Sequence, residues 1–137
     1  MNHLTKRLKA KYPTVEGYDT LTLPLTKLQP FSPPSPRTLG DVKKSLERDG
    51  LLYPIVVVPI TIGDWLEEHT RNNDPDVNPP PVGGMSDIVW RVQCGNNRLV
   101  AAFDLGYTHI EALIINNLQE AKKYCLKKRK ENKAWRH

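Results

Sequence analysis

Gly95, Asn96, Asn97 and Arg98 stand where an alternating apolar run, "DIVWRVQC", gives way to a helical pattern, "LVAAFDLGY". Residues of these types at a strand-to-helix joint can do anion chemistry. The first backbone N–H groups of a helix have no partner inside it and carry the positive end of its dipole. A glycine lets the backbone approach a ligand, an asparagine caps or donates an amide, and an arginine offers a forked cation. A phosphate would satisfy all four residues. The same four also suit a plain helix start, because asparagine is among the best N-caps and an arginine in a first turn can simply reach solvent. On spacing alone the cap is the better-supported reading.

Other reactive side chains are fewer. Cys94 and Cys125 belong to no C-x-x-C or Cys/His spacing of the kind that holds zinc, so both are expected as free thiols in a reducing compartment, with Cys94 buried and structural. Glu67, Glu68, His69, Asp74 and Asp76 gather in one loop and are the candidates for a metal-dependent nuclease; their composition is equally that of a solvated loop. The cations gather at the other end. Residues 120–137 hold Lys122, Lys123, Lys127, Lys128, Arg129, Lys130, Lys133 and Arg136 against Glu120 and Glu131, leaving 12 basic and 13 acidic residues in the rest of the chain. A neutral body with a basic tail carrying the net +5 is the footprint of a protein that leans on a polyanion, here DNA, although such tails are also often just solvated.

The elements that must position these residues can be read from periodicity. Leu21, Leu23 and Leu25 alternate in one half-buried strand that ends before Pro30. "PFSPPSPR" is too rich in proline for regular structure and delivers Arg37 from an extended loop. A helix capped at Thr38, with Leu39, Val42 and Leu46 as its apolar stripe, stops at Gly50. "IVVV" within "LLYPIVVVPI" predicts a strand buried on both faces.

Residues 61–87 form a long inserted loop, functional or partly disordered, with a short helix near Trp65. In the strand that follows, Ile88, Trp90, Val92 and Cys94 share one face. Leu99, Ala102 and Phe103 then mark a helix stopped by Gly106, "THIEALIIN" a strand, and Leu118, Ala121, Tyr124 and Cys125 the apolar face of a last helix that frays beyond Leu126. The 137 residues fit one domain with a modest core, and the division expected is a basic segment at 1–18, a domain at 19–118 and a basic helix or tail at 119–137. "MNHLTKRLKAKYP" has no signal-peptide core and no segment approaches the ~20 apolar residues of a membrane span, which points to the cytoplasm.

The order strand, proline-rich loop with Arg37, helix ending in "DGLLYPIVVVP", then "VQCGNNRLVAAFDLGYTHIEALII", resembles the ParB/sulfiredoxin superfamily over residues 19–117. The resemblance implies a compact α+β fold: a small mixed sheet with packed helices, here with the inserted loop and a C-terminal basic helix. It further implies that Gly95, Asn96, Asn97 and Arg98 form a nucleotide-phosphate turn, that Arg37 is the arginine of the proline-containing loop motif, and that the ligand is CTP or ATP with magnesium. Departures narrow it. ParB proteins usually have Gly-Glu-Arg-Arg at the turn, so Asn96 and Asn97 put CTP hydrolysis or clamp closure in doubt.

Sulfiredoxins place the catalytic cysteine directly after the glycine, where this chain has Asn96, which argues against sulfinic-acid reduction. Related small-molecule kinases carry a base in the upstream loop, and "LQPFSPPSPR" has no carboxylate, leaving only Asp41, Asp64 or Asp104. The helix-turn-helix and dimerisation segments of ParB proteins have no room in 137 residues, a form similar to the short ParB-like proteins of phages and mobile elements. Three readings follow: a nucleotide-binding module associated with DNA or a DNA-bound partner; a metal-dependent nuclease or nucleotidase; and a protein-interaction module that uses the 61–87 loop and keeps a vestigial phosphate turn.

Overall fold

The computed structural model describes residues 6–12, 17–30, 36–69 and 81–131. In chain order they form β1 (Arg7–Leu8), β2 (Asp19–Pro24), a 3-10 turn (Leu25–Lys27), β3 (Leu28–Pro30), α1 (Pro36–Asp49), β4 (Ile55–Thr61), α2 (Ile62–His69), β5 (Ile88–Cys94), α3 (Asn96–Asp104), β6 (His109–Ile114) and α4 (Leu118–Glu131). All six strands join one mixed sheet. β6 runs parallel to β1 and β4 and antiparallel to β2, while β5 runs antiparallel to β4 and parallel to β3. The fold is α+β.

The leucine run expected as one strand is two. β2 pairs with β6, and only Leu25–Lys27 separate it from β3, which pairs with β5. Three residues of 3-10 helix cover only about 6 Å. The sheet must therefore curl until the edge beside β6 approaches the edge beside β5. Leu23, Leu25 and Leu28 follow this curl into the core, and Leu21 is left 48% exposed.

Two apolar clusters result. One gathers Leu8, Leu23, Val57, Val92 and Ile110 with Val42 and Leu46 of α1 and Leu99, Ala101 and Ala102 of α3; the other joins Val56, Val58, Leu113 and Ile115 to Ala121, Tyr124 and Cys125 of α4. β4 lies between them, and Ile55, Val56 and Val57 are all fully buried, as a continuous β-branched run predicts. The 1–18 segment contributes to this core too, because β1 pairs with β6 and buries Leu8.

Other expectations are corrected by packing. α1 begins at Pro36, whose missing N–H suits a first helical position, so Arg37 lies in a helix rather than a loop. β5 bulges: Val57 faces Val92 and Val56 faces Cys94, leaving Gln93 as the extra residue. That extra residue reverses the alternation, so Cys94 points to the α4 side while Val92 points to the α1–α3 side. There Cys94 meets Cys125, and the two form a disulfide with Cα atoms 6.3 Å apart. The thiols expected to be free are thus paired, and the thiol argument for a reducing compartment falls away. α4 continues past Leu126 to Glu131, and among the described residues no helix is long and apolar enough to cross a membrane.

Candidate functional site

The turn between β5 and α3 is built by Gly95, which is the N-cap of α3 in the left-handed region at φ +100°. Its carbonyl accepts the first helical bond from the Leu99 N–H at 2.8 Å. A glycine has no side chain to cap the first amides, so the positive end of α3 is not neutralised by its own N-cap. Asn96 and Asn97 follow in the first turn, half-buried, and the Asn97 Oδ1 is buried without a hydrogen-bond partner among the described residues.

Arg98 does not reach outward. It is 5% exposed, and its Nη1 donates to the carbonyls of Tyr53 at 2.8 Å and Pro54 at 3.3 Å. Burial pushes its pKa down to about 10, and the nearby charge of Arg129 acts in the same direction. It remains cationic at neutral pH, fastening the chain just before β4 to the first turn of α3. The reading of Arg98 as a solvent-directed residue is thereby corrected, because its guanidinium is buried against two backbone carbonyls.

Arg129 is the residue that sequence reasoning missed here. It was grouped with the DNA-facing cations, yet it sits one helical turn beyond Cys125, whose sulfur is bonded to the residue just before Gly95. α4 is thereby pinned with Arg129 close enough for its charge to act on Arg98. No sequence signal pairs Cys94 with Cys125 until the bulge in β5 is known.

Arg37 is not brought to this turn. Arg98 lines a small cleft with Ser45, Leu46 and Gly50, whereas Lys43 pairs with Asp104 at the other end of α3, at 2.8 Å. α1 and α3 therefore run in opposite senses, and exposed Arg37 lies about 13 Å of helix beyond Leu46, away from Gly95.

The remaining candidates divide by face. Lys123, Lys127 and Lys130 are exposed on the side of α4 opposite Ala121, Tyr124 and Cys125, whereas Lys122 and Arg129 are exposed on its flanks. Lys128 turns the other way, 5.5 Å from the centre of the Tyr124 ring and paired with Glu131 at 3.5 Å. Lys133 and Arg136 lie outside the described residues. Of the loop residues, Glu67 and Glu68 project from α2, His69 closes that helix, and Asp74 and Asp76 lie outside the described residues. No group of three or more His, Cys, Asp or Glu able to hold a metal ion occurs among the described residues.

The fold is similar to that of a sulfiredoxin. One such solved structure is sulfiredoxin from Arabidopsis thaliana, matched with a TM-score of 0.46 and 17% sequence identity over 77% of this chain and 94% of that one. No family model matches the chain, and no curated protein does.

Proposed function

We propose that this protein is a ParB-like phosphate-recognising module that binds a nucleotide at the N-terminus of α3 and nucleic acid along the exposed face of α4. The observation that carries the reading is the meeting, at one turn, of the glycine-capped start of α3 and buried Arg98, with the Cys94–Cys125 disulfide holding α4, and on it Arg129, alongside. Two like charges held close repel each other, and a phosphate beside them would relieve that repulsion while accepting from the α3 amides. Arg129 can supply the charge-assisted contact, with Arg98 as its fixed support. Catalysis forms no part of the proposal.

The test is a thermal-shift screen of the full chain with CTP, ATP, GTP and their diphosphates, with and without magnesium. A nucleotide present at a hundred times its Kd should stabilise the fold by about 2.7 kcal/mol. Arg129→Ala, a change at an exposed position, should leave apo stability within ~0.5 kcal/mol. It should nevertheless weaken the nucleotide roughly ten- to hundredfold, the worth of one charge-assisted contact. Failure of every nucleotide to raise the melting temperature would end this part of the proposal.

The nucleic-acid part has its own readout. If about four cations of α4 meet phosphates, duplex affinity should fall with a log–log salt slope near −3.6, on the order of a hundredfold between ~50 and ~200 mM salt. Lys123, Lys127 and Lys130 form one stripe at i, i+4 and i+7. Changing all three to glutamine should flatten the slope by about 2.7 while leaving nucleotide binding intact. A slope unchanged by the triple variant would move any DNA contact off α4.

A further inference from the structure

Residues 6–12 lie extended against the body of the fold and are tied down at both ends. The Lys6 N–H donates to the Thr108 hydroxyl at 2.9 Å, and beyond β1 the N–H groups of Lys11 and Tyr12 donate to the carbonyls of Leu51 and Leu52, each at 2.7 Å. The pleat sorts the side chains. Leu8 is buried and Ala10 half-buried, while Arg7, Lys9 and Lys11 are exposed on the alternate face, roughly 6.6 Å apart along the strand. With Lys6 the segment holds four cations and no acid. Arg7 and Lys9 have no ion pair among the described residues. Two acids lie beside the segment and both have partners: Glu111 accepts from the Ala10 N–H at 2.8 Å, and Asp49, which also feels the charge of Lys11, pairs with Arg48 at 2.8 Å.

The cationic row ends on a ring. Tyr12 is 51% exposed, yet it is held in place, because its ring packs 5.8 Å from that of Tyr53, whose backbone carbonyl is fastened by Arg98. The Lys11 Nζ lies 5.5 Å from the centre of the same ring. We propose that this outward side of residues 6–12 is a track for single-stranded nucleic acid, with phosphates along Arg7, Lys9 and Lys11 and an unpaired base stacked on Tyr12.

Cations and ring together select the ligand. A row of cations alone suits any polyanion, but a positioned and exposed ring at its end adds a surface for a flat π face. A single strand offers both, since its bases can splay out onto an aromatic side chain, whereas those of a duplex are stacked inside it. An anionic membrane would attract the same cations. Leu8 and Ala10 face the core, however, so the segment has no outward apolar row to sink into lipid. The track lies on different elements from the exposed face of α4 and from the α3 turn, and it does not depend on nucleotide binding.

Fluorescence anisotropy of the full chain with a labelled thymidine oligomer, and with the same strand annealed to its complement, tests the proposal. Tyr12→Ala should weaken the single strand roughly five- to hundredfold, the worth of one stacked base, and leave the duplex within about twofold. Tyr12→Phe keeps the ring and should bind the single strand like the parent. Arg7→Gln with Lys9→Gln removes two phosphate contacts and should flatten the single-strand salt slope by about 1.4, without moving the unfolding midpoint, because both side chains are exposed. The variant with Lys123, Lys127 and Lys130 changed to glutamine should retain the Tyr12 effect. The proposal is overturned if the single strand does not bind, if Tyr12→Ala binds it like the parent, if Tyr12→Phe loses as much as Tyr12→Ala, or if the Arg7 and Lys9 double variant leaves the slope unchanged. Phosphatidylserine vesicles that bind the parent and lose binding in Tyr12→Ala as the strand does would also overturn it, in favour of a lipid surface.

Discussion

Gly95→Ala is expected to destabilise the fold by roughly 2–5 kcal/mol, read as a lower urea midpoint. Two costs add. The residue sits at φ +100°, where an L side chain costs about 1–2 kcal/mol. An added Cβ would also lie 2.5 Å from Cγ2 and 2.9 Å from Cβ of Ile55, a fully buried residue of the central strand. Overpacking of this kind typically costs ~1–3 kcal/mol. Gly106 separates the terms, because its φ is +83° but nothing lies within 4 Å of its would-be Cβ. Gly106→Ala should therefore show the backbone cost alone, about 1–2 kcal/mol. If Gly95→Ala is no worse than Gly106→Ala, Ile55 is not the constraint. The glycine that suggested close approach of a ligand is thus required first by the sheet beneath it, and the requirement holds with or without a nucleotide.

How much of this was legible in the sequence follows from the range of the forces involved. Local periodicity located β4, because a four-residue β-branched run has few alternatives, and it located α3 and its stop at Gly106. The turn at residues 95–98 was legible as a strand-to-helix joint for the same reason. What failed depended on partners distant in the chain. The curl that splits the leucine run arises from pairing with both β6 and β5, which alternation in residues 21–25 cannot encode. The bulge at Gln93 is a property of the β4–β5 pair, and it alone turns Cys94 toward Cys125. The family resemblance groups Arg37 with the turn of Arg98, whereas the opposite senses of α1 and α3 separate the two, a fact fixed by helix packing. The Arg91–Glu68 pair escaped notice because its two members are 23 residues apart on different elements.

Arg98 gives the second large effect, and its variants separate a brace from a ligand contact. Arg98→Ala leaves the part-buried Tyr53 carbonyl and the buried Pro54 carbonyl without this donor, a buried acceptor costing about 1–3 kcal/mol, and opens a void where a long side chain was packed. One favourable term opposes these. The lowered pKa means that the folded protein holds the guanidinium charge at a cost, so stability is lost at neutral pH by carrying it and would rise only as pH climbs through about 10 toward the unfolded value. Removing the charge recovers that cost, which places the net loss for Arg98→Ala near 2–4 kcal/mol. Arg98→Met recovers the same cost and fills most of the volume, so it should lie within ~1 kcal/mol of the parent, as buried ionic groups replaced by apolar ones often do. That near-neutral variant is the useful one. With Arg98 as a brace, Arg98→Met should keep its nucleotide affinity within about threefold, while Arg129→Ala loses roughly ten- to hundredfold. A fully folded Arg98→Met protein that no longer binds nucleotide would instead put the guanidinium on the phosphate, and the carbonyls of Tyr53 and Pro54 would then hold it only until a ligand arrives.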